Sequence, residues 1–168
     1  MATSFMFEHD FPSISLEKFE AHLNDPKLNK LLEKELSFDE RTMTNRVVKE
    51  NGDIEWHFNI RKKGELPAAL KKIIPGDGLS WKEVSRYSPQ EHCIYWEIKP
   101  DSKLVKFHGE GTWQLSKAAK GCKRRIEGRI CVEIPLVGKM VESFIINELK
   151  NTYAVEPKVQ QKFYDSIA

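Results

Sequence analysis

Residues 133–157, EIPLVGKMVESFIINELKNTYAVEP, change period part-way along. As far as Ile134 they continue the two-residue alternation of a β-strand. From Val137 onward the apolar residues Met140, Val141, Phe144, Ile145, Leu149 and Tyr153 fall along one side of an α-helix, with Lys139, Glu142, Asn147 and Lys150 elsewhere. The apolar stretch from Ile134 to Ile146 is interrupted by Lys139 and Glu142 and falls short of the ~20 residues that span a bilayer. Burying six such side chains would contribute ~1.5–3 kcal/mol each before entropy is subtracted. That is comparable with a whole net stability of ~5–15 kcal/mol, so this helix is integral to the fold. The question is what it covers.

The chain upstream supplies a surface. "SFMFEH" reads as a short aromatic strand, and Ser15 caps a first short helix through Leu16, Phe19 and Leu23. Asp25 followed by Pro26 opens a second helix marked by Leu28, Leu31, Leu32 and Leu36. Asn51-Gly52 then sits between two β-prone runs, a strong hairpin signal. In the second run Ile54, Trp56, Phe58 and Ile60 share a face opposite Glu55, His57, Asn59 and Arg61. A small helical piece, "LPAALKKII", leads to the turn "PGDG" and two strands joined near Ser88-Pro89, the later one placing Ile94, Trp96 and Ile98 on one face. The last pair alternates Phe107, Gly109, Gly111, Trp113 and Leu115, then Ile126, Gly128, Ile130, Val132 and Ile134, on the apolar side. Glycines inside these faces predict sharp bends or the close approach of something bulky. Six consecutive strands make an antiparallel meander with one apolar face, which the C-terminal helix covers. Pro157 predicts a kink or break in that helix, with Val159, Phe163 and Ile167 on a shorter continuation.

Composition bounds the rest. The 168 residues suit a single domain, 1–168; 40% are hydrophobic and 31% charged, and the formal net charge of +2 advertises neither nucleic acid nor membrane. "MATSFMFEHDF" shows no secretory pattern, and three cysteines without a C-x-x-C pair suggest reduced thiols, so a cytoplasmic location is expected. No phosphate-binding loop, nucleophile elbow or H-E-x-x-H motif is present, and the scattered histidines predict neither metal nor cofactor.

The order strand, two short helices, six-strand meander and long C-terminal helix, with "GRICVEIPLVGKMVESFIINELKNTY" at residues 128–153, resembles the START-like superfamily, also called the helix-grip, SRPBCC or Bet v 1-like fold. Within it the chain is similar to a bacterial branch of proteins of unknown function. The resemblance implies an α+β fold whose curved antiparallel sheet wraps the C-terminal helix, with a cavity between them that usually holds a hydrophobic ligand. The expected lining is Trp56, Phe58, Trp81, Trp96, Trp113, Met140, Phe144 and Ile145, with Glu83 and Tyr87 as polar handles.

Other readings of the same residues stand beside this one. Aromatics on a sheet face commonly form plain core, in which case the pocket is filled by its own tryptophans and the protein is an interaction module. Glu83 and Tyr87 in one cavity could serve a small cyclase- or hydrolase-like enzyme as base and hydrogen-bond donor. The turn "KAAKGCKRR" gathers Lys117, Lys120, Lys123, Arg124 and Arg125 at a hairpin tip, solvated in the plain reading and touching an anionic membrane surface during lipid exchange in the sharper one. The loop Ile73–Gly78 is a candidate portal. Nucleic-acid binding is not expected, because the basic residues do not extend along a face with aromatics between them.

Overall fold

A computed structural model describes residues 2–63, 66–72, 78–101 and 106–167. Strand β1 (Thr3–Phe11) alternates strictly between exposed and inward positions, with Phe5, Phe7, His9 and Phe11 turned in. Helix α1 (Leu16–Ala21) starts where the Ser15 hydroxyl accepts the Lys18 N–H, and α2 (Pro26–Glu35) where the Asp25 carboxylate accepts from Lys27 and Leu28. Next come β2 (Glu40–Val48), β3 (Ile54–Lys63), the short α3 (Ala68–Lys71), β4 (Gly78–Ser88), β5 (Cys93–Pro100), β6 (Phe107–Lys117), β7 (Cys122–Val132) and α4 (Gly138–Ile167). The proposed portal falls largely outside the described residues, which resume at Gly78.

The seven strands form one antiparallel sheet in the order β1-β7-β6-β5-β4-β3-β2. With α4 laid across it, this is the helix-grip arrangement. The β2–β3 turn closes with the Gly52 N–H donating to the Lys49 carbonyl (3.0 Å), and Gly52 takes φ +90°, a conformation glycine adopts without strain. Further along the same pair, a bulge between Met43 and Asn45 shifts the register by one residue. The shift places Arg41 opposite Ile60 and therefore on the inner face.

Helix α4 runs without interruption for 30 residues, about 45 Å, so the break expected at Pro157 does not occur. Proline removes one backbone hydrogen bond, but buried Glu156, Val159, Gln160, Phe163 and Tyr164 anchor the helix on both sides of it. Among the described residues no helix is long and apolar enough to cross a membrane.

The core divides into three clusters. One joins Phe11, Phe19, Leu28, Leu115 and Cys122 to Phe163 and Tyr164 at the C-terminal end of α4. A second holds Trp56, Phe58, Ile60, Tyr87 and Ile94 on the sheet, and a third gathers Leu66, Leu70, Ile130, Val132 and Val141 near the start of α4. The space between these clusters is the candidate site.

Candidate functional site

A cavity of about 480 Å³ lies between the inner sheet face and α4. Ile60, Trp81, Ile94, Trp96, Ile98, Trp113 and Ile130 line it from the sheet, Val141, Phe144, Ile145, Leu149 and Tyr153 from α4, and Leu28 and Leu32 from α2. At its margin Lys62 on β3 and Glu148 on α4 form an ion pair at 3.8 Å, joining sheet to helix. The wall is apolar and aromatic with a few convergent polar groups, the usual composition of a small-molecule pocket.

The glycines expected to admit something bulky do so. A Cβ on Gly111 or on Gly128 would sit 2.5 Å from Cζ2 of Trp96, so the indole lies flat against the backbone of β6 and β7 and becomes part of the cavity wall. Its stacking partner is Phe5 on β1, at 6.0 Å between ring centroids. Trp96 Nε1 is shut off from solvent and has no hydrogen-bond partner.

Of the residues singled out from sequence, Trp81, Glu83, Trp96, Trp113, Phe144 and Ile145 line the cavity together. Trp56 and Phe58 are turned inward but buried in the neighbouring sheet cluster, outside the lining. Tyr87 is with them, stacked on Trp56 at 6.5 Å; burial first, and the Glu20 carboxylate second, raise its pKa. Glu83 and Tyr87 therefore do not converge in one cavity, and the acid–base pair considered from sequence is not assembled. Met140 is 46% exposed, because the inner face of α4 runs one residue later, through Val141, Phe144, Ile145, Leu149, Tyr153, Glu156 and Gln160. Glu142, assigned to the wet side, is also buried. It accepts hydrogen bonds from Thr3, from Lys139 at 2.8 Å and from the Val132 N–H at 3.0 Å, tying the helix start to β1 and β7.

The largest departure concerns Arg124. Counted with the basic hairpin tip, it is fully buried, two positions before inward Ile126 and therefore on the same face of β7. Its guanidinium donates to both Glu156 oxygens (Nη1–Oε1 2.9 Å, Nη2–Oε2 2.6 Å) and to Gln160 Oε1 at 3.2 Å. His9 Nδ1 accepts from Nη2 at 2.9 Å and from Nε at 3.3 Å. The plane lies 4.5 Å from the Trp113 ring centroid, a cation–π contact. Burial works against charge here, yet Glu156 outweighs it and holds the arginine above its ordinary pKa. The same surroundings pull His9 down to about 4, through burial first and the Arg124 charge second. His9 is thus neutral at pH 7, with its proton on Nε2. At the tip itself Lys117 pairs with Glu17 at 3.0 Å and Arg125 with Glu127 at 2.5 Å.

A second inward arginine has a different setting. Arg41 lies over the Phe58 ring, 4.3 Å from its centroid, and lines the cavity. Its Nη1 is shielded from solvent and has no hydrogen-bond partner. Glu83, on the same wall, has its Oε1 engaged by the Ser85 hydroxyl at 3.1 Å. Burial pulls the Arg41 pKa below its ordinary value, and Glu83 is foremost among the carboxylates that offset this.

Residues 6–163 match the family model described as "Protein of unknown function (DUF2505)". The chain belongs to this family. No curated protein matches the chain. Among solved structures, this DUF2505 protein is similar to a START superfamily protein from Mycobacterium smegmatis, with a TM-score of 0.56 and 14% identity over 99% of both chains. It is also similar to TTHA0849 from Thermus thermophilus, with a TM-score of 0.66 and 13% identity over 99% of both chains. A third likeness is to the di-domain ARO/CYC StfQ from the steffimycin biosynthetic pathway, with a TM-score of 0.67 and 14% identity over 99% of this chain and 51% of that one. At such identities the likeness establishes the START-like, Bet v 1-like fold for this chain alone, and function must be argued from the site.

Proposed function

We propose that the protein binds a hydrophobic small molecule or lipid between its sheet and α4, as a carrier or sensor. The observation that carries this reading is the 480 Å³ cavity, apolar over most of its wall and left open by side chains large enough to have filled it. Left dry and empty, a void of that volume would cost on the order of 10 kcal/mol at the rate found for core truncations. That is as large as a typical net stability of ~5–15 kcal/mol, a cost that a ligand occupying the space removes.

Native mass spectrometry of the protein purified from its source tests the reading, together with thermal shifts across fatty acids, sterols and polycyclic aromatics. A co-purified apolar molecule, or a concentration-dependent rise in Tm with one of these classes, is the expected result. Protein that is ligand-free in every preparation and unmoved by every class contradicts it.

A further inference from the structure

Among the described residues, Arg41 is the one polar group on the inner face of β2 that the fold turns into the cavity and leaves with an open donor. The bulge between Met43 and Asn45 is what turns it inward. The Phe58 ring supports the guanidinium from one side, and Nη1 has no protein acceptor. Buried charges in proteins are normally paired and hydrogen-bonded, as Arg124 is by Glu156 and Gln160. Glu83 lies near enough to offset part of the charge at Arg41, but Oε1 is taken by Ser85 and it forms no hydrogen bond with Arg41 among the described residues. The second orphaned donor among the described cavity-lining residues is Trp96 Nε1, so the wall offers donors in search of acceptors.

We infer that the ligand is an amphiphile whose apolar body fills the cavity and whose acidic group accepts hydrogen bonds from Arg41. This rests on the binding role proposed above and narrows it to a chemical class. An anionic oxygen suits the site better than a neutral one, because the donor belongs to a cation with no hydrogen-bonded counter-ion among the described residues, and charge-assisted bonds are about twice as strong as neutral ones.

The test compares dodecanoate and pyrenebutyrate with their own methyl esters by isothermal titration calorimetry, on the wild type and on Arg41→Gln. The acid should bind roughly ten- to a hundred-fold more tightly than its ester, and that ratio should fall to about one in Arg41→Gln. Equal affinity of acid and ester for the wild type, or a preference that survives in Arg41→Gln, would overturn this inference and leave the cavity-binding role standing. Binding of neither acid nor ester would overturn this inference, and with it the binding role once sterols also leave Tm unmoved and no preparation carries a ligand. The wild-type comparison needs no variant, and Arg41→Lys, which keeps the charge, should retain most of the preference.

Discussion

Arg124 and Arg41 enter the same interior from β7 and from β2, and the fold treats them in opposite ways. Arg124 has Glu156, Gln160 and His9 around its guanidinium and Trp113 against its face. Arg41 has an aromatic support, a carboxylate engaged elsewhere and a donor with no acceptor. A satisfied buried charge fixes elements relative to one another; here it ties β1, β7 and α4 at one end of the cavity. An unsatisfied one next to empty space contributes little to holding the protein together and is available to something that is not protein. The contrast separates what builds the cavity from what reads its contents.

The strongest way to break the contrast is to remove Arg124. Arg124→Met leaves Glu156 buried without its partner and should cost about 3–5 kcal/mol in urea unfolding at pH 7, with Glu156→Gln added to it recovering part of the loss. A cost below about 1 kcal/mol would show that the network is not structural. Next in size is the wall beside it. Gly128→Ala drives a methyl group into the Trp96 indole and should cost roughly 1–3 kcal/mol while shrinking the cavity, as read by weaker binding of any apolar probe; Gly111→Ala, whose methyl also meets the Glu127 backbone carbonyl, should cost at least as much.

The pH dependence sharpens the same comparison. His9 is held at about 4 in the folded protein, against ~6.5 when unfolded. Between these values the unfolded chain binds the extra proton, so the contribution of His9 is fully present above about 6.5 and is lost as pH falls toward about 4. His9→Asn, which keeps an acceptor for Arg124, should flatten that part of the stability profile in chemical unfolding across the window. The smallest effect is predicted for Arg41→Gln, which should change the stability of ligand-free protein by less than about 1 kcal/mol, since no partner is abandoned. A loss as large as that of Arg124→Met would mean that the two arginines have the same role.

Much of the architecture was legible because period and punctuation agreed. Ser15 and Asp25-Pro26 mark the helix starts, Gly52 marks the hairpin, and the switch of period after Ile134 marks the passage to α4, two residues beyond Val132 where β7 ends. The inward tryptophans on β5 and β6 followed from parity, whereas which face of β4 carries Trp81 inward did not. Arg124 was also within reach of parity, since it stands two residues before Ile126, but its place in a run of basic residues suggested a solvated tip. Met140 was misassigned because a stripe on a helical wheel is uncertain by a residue, and contact with the sheet chose Val141 as its edge. Arg41 was not legible. "RTMTNRVV" shows no alternation, and pairing counted back from Gly52 puts Arg41 opposite Arg61, facing solvent; only the bulge reverses it. The paired Glu156 and Gln160 were hidden for another reason, since polar residues on a helix are read as its wet face until a buried partner is known.

The central claim is that the space between sheet and α4 exists to hold an apolar ligand, and Trp81, Trp96 and Trp113 stand on its wall to report on it. Titration with dodecanoic acid brominated in its chain, followed by tryptophan emission, asks the question directly, because bromine quenches only indoles that it touches. The account predicts quenching that saturates at one equivalent per chain. Emission that is unchanged, or that falls in proportion to added probe without saturating, would contradict it.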